Sequence, residues 1–326
     1  MSVTPASNIP ISIDYTNRDY YSLRDQLIAR IQDRLPNWTA SDPADFGVAL
    51  VEAFAYMGDI INYYIDRNAN ENFIYTATQR KSLLNLAQTY GYVPAGYRQA
   101  YVDITFSNNS ETDITLPEGT VVSGQVVTAD TVQTVYFTTV ADSIVPTTSS
   151  YTVTATEGRS VVRVVTDSDA TYGEQIGTSL GDPNQSFELS QNPVADGSIS
   201  IYVQDGDSYS KWTQVQHLLD YGPLDLVYTV SSDENNNIFV NFGDGVSGVI
   251  PIAHSAIRAV YTVGGGIIGN VSTDTVDTLS YVPGLSELQL TALQSAITVA
   301  NNSVAVGGSD PESNNQIRRA APGTLR

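Results

Sequence analysis

The chain has 326 residues and 35.1 kDa, with 41% hydrophobic and 15% charged residues, a formal net charge of -20 and no cysteine. That length allows two or three domains with cores of their own, and the low charged fraction leaves a surface built from Asn, Ser, Thr, Gln and Tyr. Without cysteine there are no disulfides and no thiolate chemistry, and a pI near 4.1 argues against nucleic acid or an anionic membrane as partner.

The N-terminal "MSVTPASNIPISIDYTNRDY" lacks the basic start and apolar run of a secretory signal, and no stretch of about 18 apolar residues predicts a membrane span. The expected route is folding in a cytoplasm without signal-peptide export. Tyr20, Leu23, Leu27, Ile31 and Leu35 then recur at helical spacing, with Thr16 or Asn17 as cap and Pro36 as stop. A second, longer helix is expected to open at Asp42-Pro43, with Asp45 in its first turn. Along it Phe46, Leu50, Ala53, Met57, Ile60 and Tyr64 form one seam, and Val51, Ala55 and Ile65 add apolar groups on a neighbouring face. The stripe is wider than one packing partner requires. A third helix, about 78–90, packs through Leu83, Leu86 and Tyr90 and stops at Gly91 and Pro94.

From Tyr101 the period changes to two, as in Val102, Ile104 and Phe106, and runs rich in Val, Ile, Thr and Tyr continue to about Val271. This predicts an antiparallel β region that allows an insertion over 158–192. A last helix is expected over 286–301, with Leu288, Ala292, Ser295, Ala296 and Val299 on one face. The fold class is therefore α+β and multidomain: a helical N-terminal region (1–100), a β-rich body (101–271) and a short helical C-terminal segment (272–326).

Ordered landmarks run through nearly the whole chain. "SDPADFGVALVEAFAYMGDIINYYIDRNANENFIYTATQRKSLLNLAQTYGYVP" is followed by "LPEGTVVSG", "NFGDGVSGVIP", "YTVGGGIIGNV" and "AVGGSDPESNNQIRRAAPGTLR". Together they resemble the baseplate J-like, wedge-forming proteins of contractile-tailed phages and related injection systems. The resemblance implies a structural protein with no active site. It implies pairing with a second copy and with other wedge proteins through a helical bundle, near the tail hub and sheath-initiating components. The wedges would close into a ring that passes the contraction trigger inward, in a virion tail baseplate assembled in the bacterial host cytoplasm. It also implies a further α+β segment past "RRAAP", where the sequence here runs to Arg326. The helical periodicity gives the residues expected at that interface: Tyr20, Leu23, Leu27, Ile31, Phe46, Leu50, Met57, Ile61 and Tyr64. No catalytic, cofactor-binding or metal residue is expected.

Other motifs carry plainer readings. Glu52, Asp59 and Asp66 recur every seven residues, which strings carboxylates roughly 10 Å apart along one helix rather than converging them in a cleft. A charged stripe, solvated or facing a partner, is the favoured reading. His217 and His254 stand far apart in sequence without a metal-ligand pattern. "SDENNNIFVNFGDG" has Asp233, Asn235 and Asn237 at calcium-loop spacing, but Ile238 and Asp244 stand where Gly and Glu belong, so a hairpin turn is expected. Gly243, Gly245 and Gly248 are expected to supply positive φ in turns, and Gly264 to Gly266 a close backbone approach. Two rival functions remain: a sugar-binding tail or surface protein using exposed Tyr and Trp212 in a groove, and a polysaccharide hydrolase with two convergent carboxylates. The placement of Tyr20, Tyr21, Tyr56, Tyr63, Tyr64 and Tyr75 on helices favours protein contacts.

Overall fold

A computed structural model describes residues 18–39, 42, 44–128, 131–163 and 172–325. Helix α1 is Tyr20–Arg34, α2 Phe46–Glu71 and α3 Arg80–Thr89. The caps expected at Thr16 or Asn17 lie outside the described residues. Asp19 caps α1, its carboxylate accepting from the Ser22 amide at 2.9 Å. Pro43 also lies outside them, and α2 opens later than expected because Asp45 is itself the cap, accepting from the Gly47 and Val48 amides at 2.8 and 3.3 Å. Asp42 instead holds the preceding turn through the Ala44 amide. The stop after α3 is the expected one: Gly91 sits at φ 73°, and the Tyr92 amide reaches back to the Ala87 carbonyl at 2.9 Å.

Strand β1 is Tyr101–Asn108, β2 Ile114–Leu116, β3 Val121–Val127, β4 Val132–Thr139, β5 Ser143–Val145 and β6 Ser150–Glu157. Then come β7 (Arg159–Ser160), β8 (Glu174–Thr178), β9 (Ser186–Glu188), β10 (Ser200–Asp205), β11 (Ser208–Gln214), β12 (Val227–Ser232) and β13 (Ile238–Phe242). The order ends with β14 (Ala256–Val260), β15 (Thr262–Val263), β16 (Val276–Tyr281), α4 (Glu287–Ala296), β17 (Ile297–Asn301) and α5 (Asn314–Ala320).

The chain divides into two compact units, one of Met1–Pro94 with Ser313–Arg326 and one of Ala95–Glu312. In the helical unit Ile74, Ala77, Leu83 and Ala87 share a core with Ile317 and Ala321. The Arg318 guanidinium donates to the Ala77 carbonyl at 2.7 Å, so α5 is tied to the chain just before α3.

The second unit holds two principal sheets. One has the order β16-β3-β4-β6-β1-β17, the other β8-β14-β10-β11-β12-β13-β9. The period-two reading of β1 holds: Val102, Ile104 and Phe106 are buried with Phe137, Val122 and Leu279. Among the described strands pairing is antiparallel except between β11 and β12, which run parallel at Thr213–Val227 and Gln214–Tyr228. The span 158–192 contributes β8 and β9, the two edges of the second sheet.

Both sheets curl until their edges meet. In the first, the Asp274 amide donates to the Asn301 carbonyl at 2.9 Å and the Val276 amide to Asn301 Oδ1 at 2.8 Å, joining the β16 and β17 ends. Asn301 Nδ2 donates to the Ser272 and Ser303 carbonyls at 2.7 and 2.9 Å. In the second, β8 lies against β9 so closely that a Cβ on Gly177 would meet Phe187 at 2.3 Å. Two barrel-like bodies result, each around its own core.

The helix expected over 286–301 stops at Ala296. The β-branched run Ile297–Asn301 pairs with β1, Val299 lying opposite Phe106. Pairing with β1 also resets the phase of α4: Leu290 and Leu293 pack on the core while Leu288 is exposed. Here the strand ladder overrides the helical period that the sequence carries through.

Candidate functional site

The two long helices pack through one narrow face of α2. Val48, Val51 and Ala55 are buried, and Gly58 lets Leu23 of α1 approach to the point where an added Cβ would sit 3.0 Å from its Cδ1. Arg24 Nε donates to Glu52 at 3.1 Å, and Asn62 Nδ2 to the Arg18 carbonyl at 3.0 Å, stitching the pair at two further levels.

Winding at about 100° per residue places Phe46, Leu50, Met57, Ile60, Ile61 and Tyr64 on the opposite face. All six are exposed, Phe46 to 82%. The candidate residues therefore fall into two groups. Tyr20, Leu23, Leu27 and Ile31 are half-buried on α1, while Phe46, Leu50, Met57, Ile61 and Tyr64 face outward. Val51 and Ala55 belong to the inner face, and Ile65 stands exposed at the edge of the outer one. Phe54, not singled out in the sequence, widens the exposed apolar surface together with Tyr56 and Tyr63, two of the helical tyrosines noted there. Their aromatic character on an already apolar helix was the available signal.

The acidic series does not converge. Glu52 is engaged by Arg24 across the helix pair, and among the described residues no group of three His, Asp or Glu side chains is placed to hold a metal. Asp233 organises the β12–β13 turn, accepting from the Asn235 and Asn237 amides at 2.8 Å each. Asp244 does the same in the next turn, and the amides of Ser247 and then Val246 hold its carboxyl below the usual range. Gly243 differs from expectation. It is not at positive φ but is required by close approach, since a Cβ there would lie 2.3 Å from the Gly248 carbonyl oxygen. Gly264, Gly265 and Gly266 all adopt positive φ as well as closely approaching their neighbours. The Gly265 amide donates to the buried Glu157 carboxylate at 3.0 Å, and the Ala100 amide does so at 3.2 Å. Gln99 donates to the Glu157 carbonyl.

Trp212 is 4% exposed and packs edge-on to Phe242 with centroids 5.0 Å apart. Its ring is core, which removes the stacking surface that the sugar-binding reading placed in a groove. No described helix is long and apolar enough to cross a membrane.

The α1–α2 pair leaves a broad run of large apolar side chains exposed on α2. Residues 19–89, which span α1 to α3, match the family described as bacteriophage baseplate protein, N-terminal domain. No curated protein matches the chain. Among solved structures, a chain of the anti-feeding prophage (AFP) baseplate, determined by cryo-EM and 6-fold symmetrised, is similar at 13% identity with a TM-score of 0.33. The match covers 92% of this chain and 52% of that one, so this chain spans about half the length of that relative.

Proposed function

We propose that the chain is a structural wedge subunit of a contractile-tail baseplate. Its outward α2 face packs against helices of other wedge proteins and of a second copy, so that wedges join into a ring around the tail hub. The observation that carries this reading is the unpartnered face from Phe46 to Tyr64, on the segment that matches the baseplate family. Burying five such side chains at about 1.5–3 kcal/mol each supplies on the order of 10 kcal/mol before ordering costs, enough for a lasting complex. The ring would transmit the contraction trigger by switching between two arrangements whose interfaces differ in contact energy. Subunits would be made and assembled in the host cytoplasm.

The test is size-exclusion chromatography with light scattering on the full chain, alone and with neighbouring tail proteins, comparing wild type with Leu50→Asp plus Met57→Asp. Both sites are exposed, so each change should alter the stability of the isolated chain by about 0.5 kcal/mol or less. The wild type should form a stable pair or mixed complex that the folded double variant does not enter. If both remain monomeric with every candidate, the reading fails.

A further inference from the structure

The second barrel carries an unpartnered apolar surface of its own, far in sequence from the helical one. The loops 179–185, 215–226 and 243–255 gather at one end of this barrel. The Gly248 amide donates to the Gly222 carbonyl at 3.1 Å, the Val249 amide to the Asp225 carbonyl at 3.0 Å, and Ser179 Oγ to the Pro251 carbonyl at 2.8 Å. Leu180, Leu219, Leu224, Val246 and Ile252 project from these loops, Leu219 and Leu224 being 86% and 85% exposed. Isolated exposed leucines are ordinary, but five aliphatic side chains on three bonded loops form a patch.

Asp182, Asp220, Asp225 and Asp244 are exposed on the same three loops, which contain no lysine or arginine, and His217 and His254 also stand exposed on them. Two copies meeting through this end would set carboxylates against carboxylates, and an anionic bilayer would be repelled. We propose that the loop end of the seven-stranded barrel docks a different protein, one whose contact face has an apolar centre and a rim of Lys and Arg. The aliphatic centre would supply the buried area, and the acidic rim would steer the encounter and reject like-charged surfaces.

Photo-crosslinking in assembled particles tests this. Benzoylphenylalanine replaces Leu219 or Leu224 in the full chain, with Met57 carrying the same group as a probe of the helical surface and Glu111 as an exposed control. Leu219 and Leu224 should give adducts with one protein other than this chain, on a peptide where apolar residues are flanked by Lys or Arg. Adding Asp182→Lys and Asp220→Lys should reduce that yield several-fold. Adducts with a second copy, with phospholipid or with a peptide lacking basic residues overturn the proposal, as does a yield at the Glu111 level or one unmoved by the charge reversals. Adducts at Met57 without adducts at Leu219 or Leu224 overturn it while leaving the helical reading intact.

Discussion

Asn301→Ala is expected to lower the unfolding free energy of the β unit by about 3 kcal/mol, because it removes three side-chain hydrogen bonds, one buried and two part-buried, and leaves their backbone partners unpaired. Asn301 is fully buried, and its side-chain amide joins the two edges of the first sheet beside the backbone bond from the Asp274 amide to the Asn301 carbonyl. The alanine methyl can neither donate nor accept in place of the amide. Asn301→Asp keeps the acceptor for the Val276 amide but loses both donated bonds and buries a charge, so it should fare no better. Urea unfolding followed by circular dichroism reads the effect as a lower midpoint at unchanged slope. A loss under about 0.5 kcal/mol would mean that closure rests elsewhere, for example on the Gln294 side chain, which donates to the Leu279 carbonyl at 2.6 Å.

Glu157→Ala should cost roughly 2–4 kcal/mol, since the Ala100 and Gly265 amides lose the carboxylate that both donate to. The carboxylate also fills the space that Gly269 leaves, where an added Cβ would lie 1.8 Å from Glu157 Oε2. A pH signature separates Glu157 from a purely steric filler. Burial raises its pKa above the ordinary 4.5, the Ala100 and Gly265 amides oppose that shift, and Asp310 adds to it. The folded chain then holds the proton more tightly than the unfolded chain. The resulting stability is present in full below 4.5 and is lost as pH rises through the raised value. Measured against Glu157→Gln, wild type should gain stability as pH falls through that window. A difference that stays flat from about pH 7 to 4 would place the carboxyl at its ordinary value and contradict the effect of burial.

Most of the helical unit was legible because its signals are local. Leu23, Leu27 and Ile31 keep a 3.6 period, Gly91 stops α3 as its position predicts, and the excess of apolar groups on α2 can be counted from the sequence. Which α2 face turns inward could not be counted: Val51 and Ala55 won over Leu50 and Met57 because smaller side chains let α1 come closer. The period-two strands were legible too, whereas barrel closure through Asn301, the parallel β11–β12 pair and the burial of Trp212 depend on partners distant in sequence. Val299 continued the helical period of Leu288 and Ala292 past the true end of α4, and only pairing with β1 breaks it. The apolar loop end went unnoticed because Leu219, Leu224 and Val246 stand singly among turn residues, and only the fold brings them together.

The helical core has a consequence for synthesis. Arg80 donates to Asn314, 234 positions further on, and Ile317 and Ala321 fill the same core as Leu83. The whole β unit is thus translated between the two halves of that core. A ribosome has made α2 and its apolar face well before the residues that complete the support beneath α3 exist. A nascent chain halted within the barrels would display the exposed apolar face of α2 while the core around α3 is still incomplete. Residues 314–321 must therefore emerge before the core around Leu83 and Ala87 is complete.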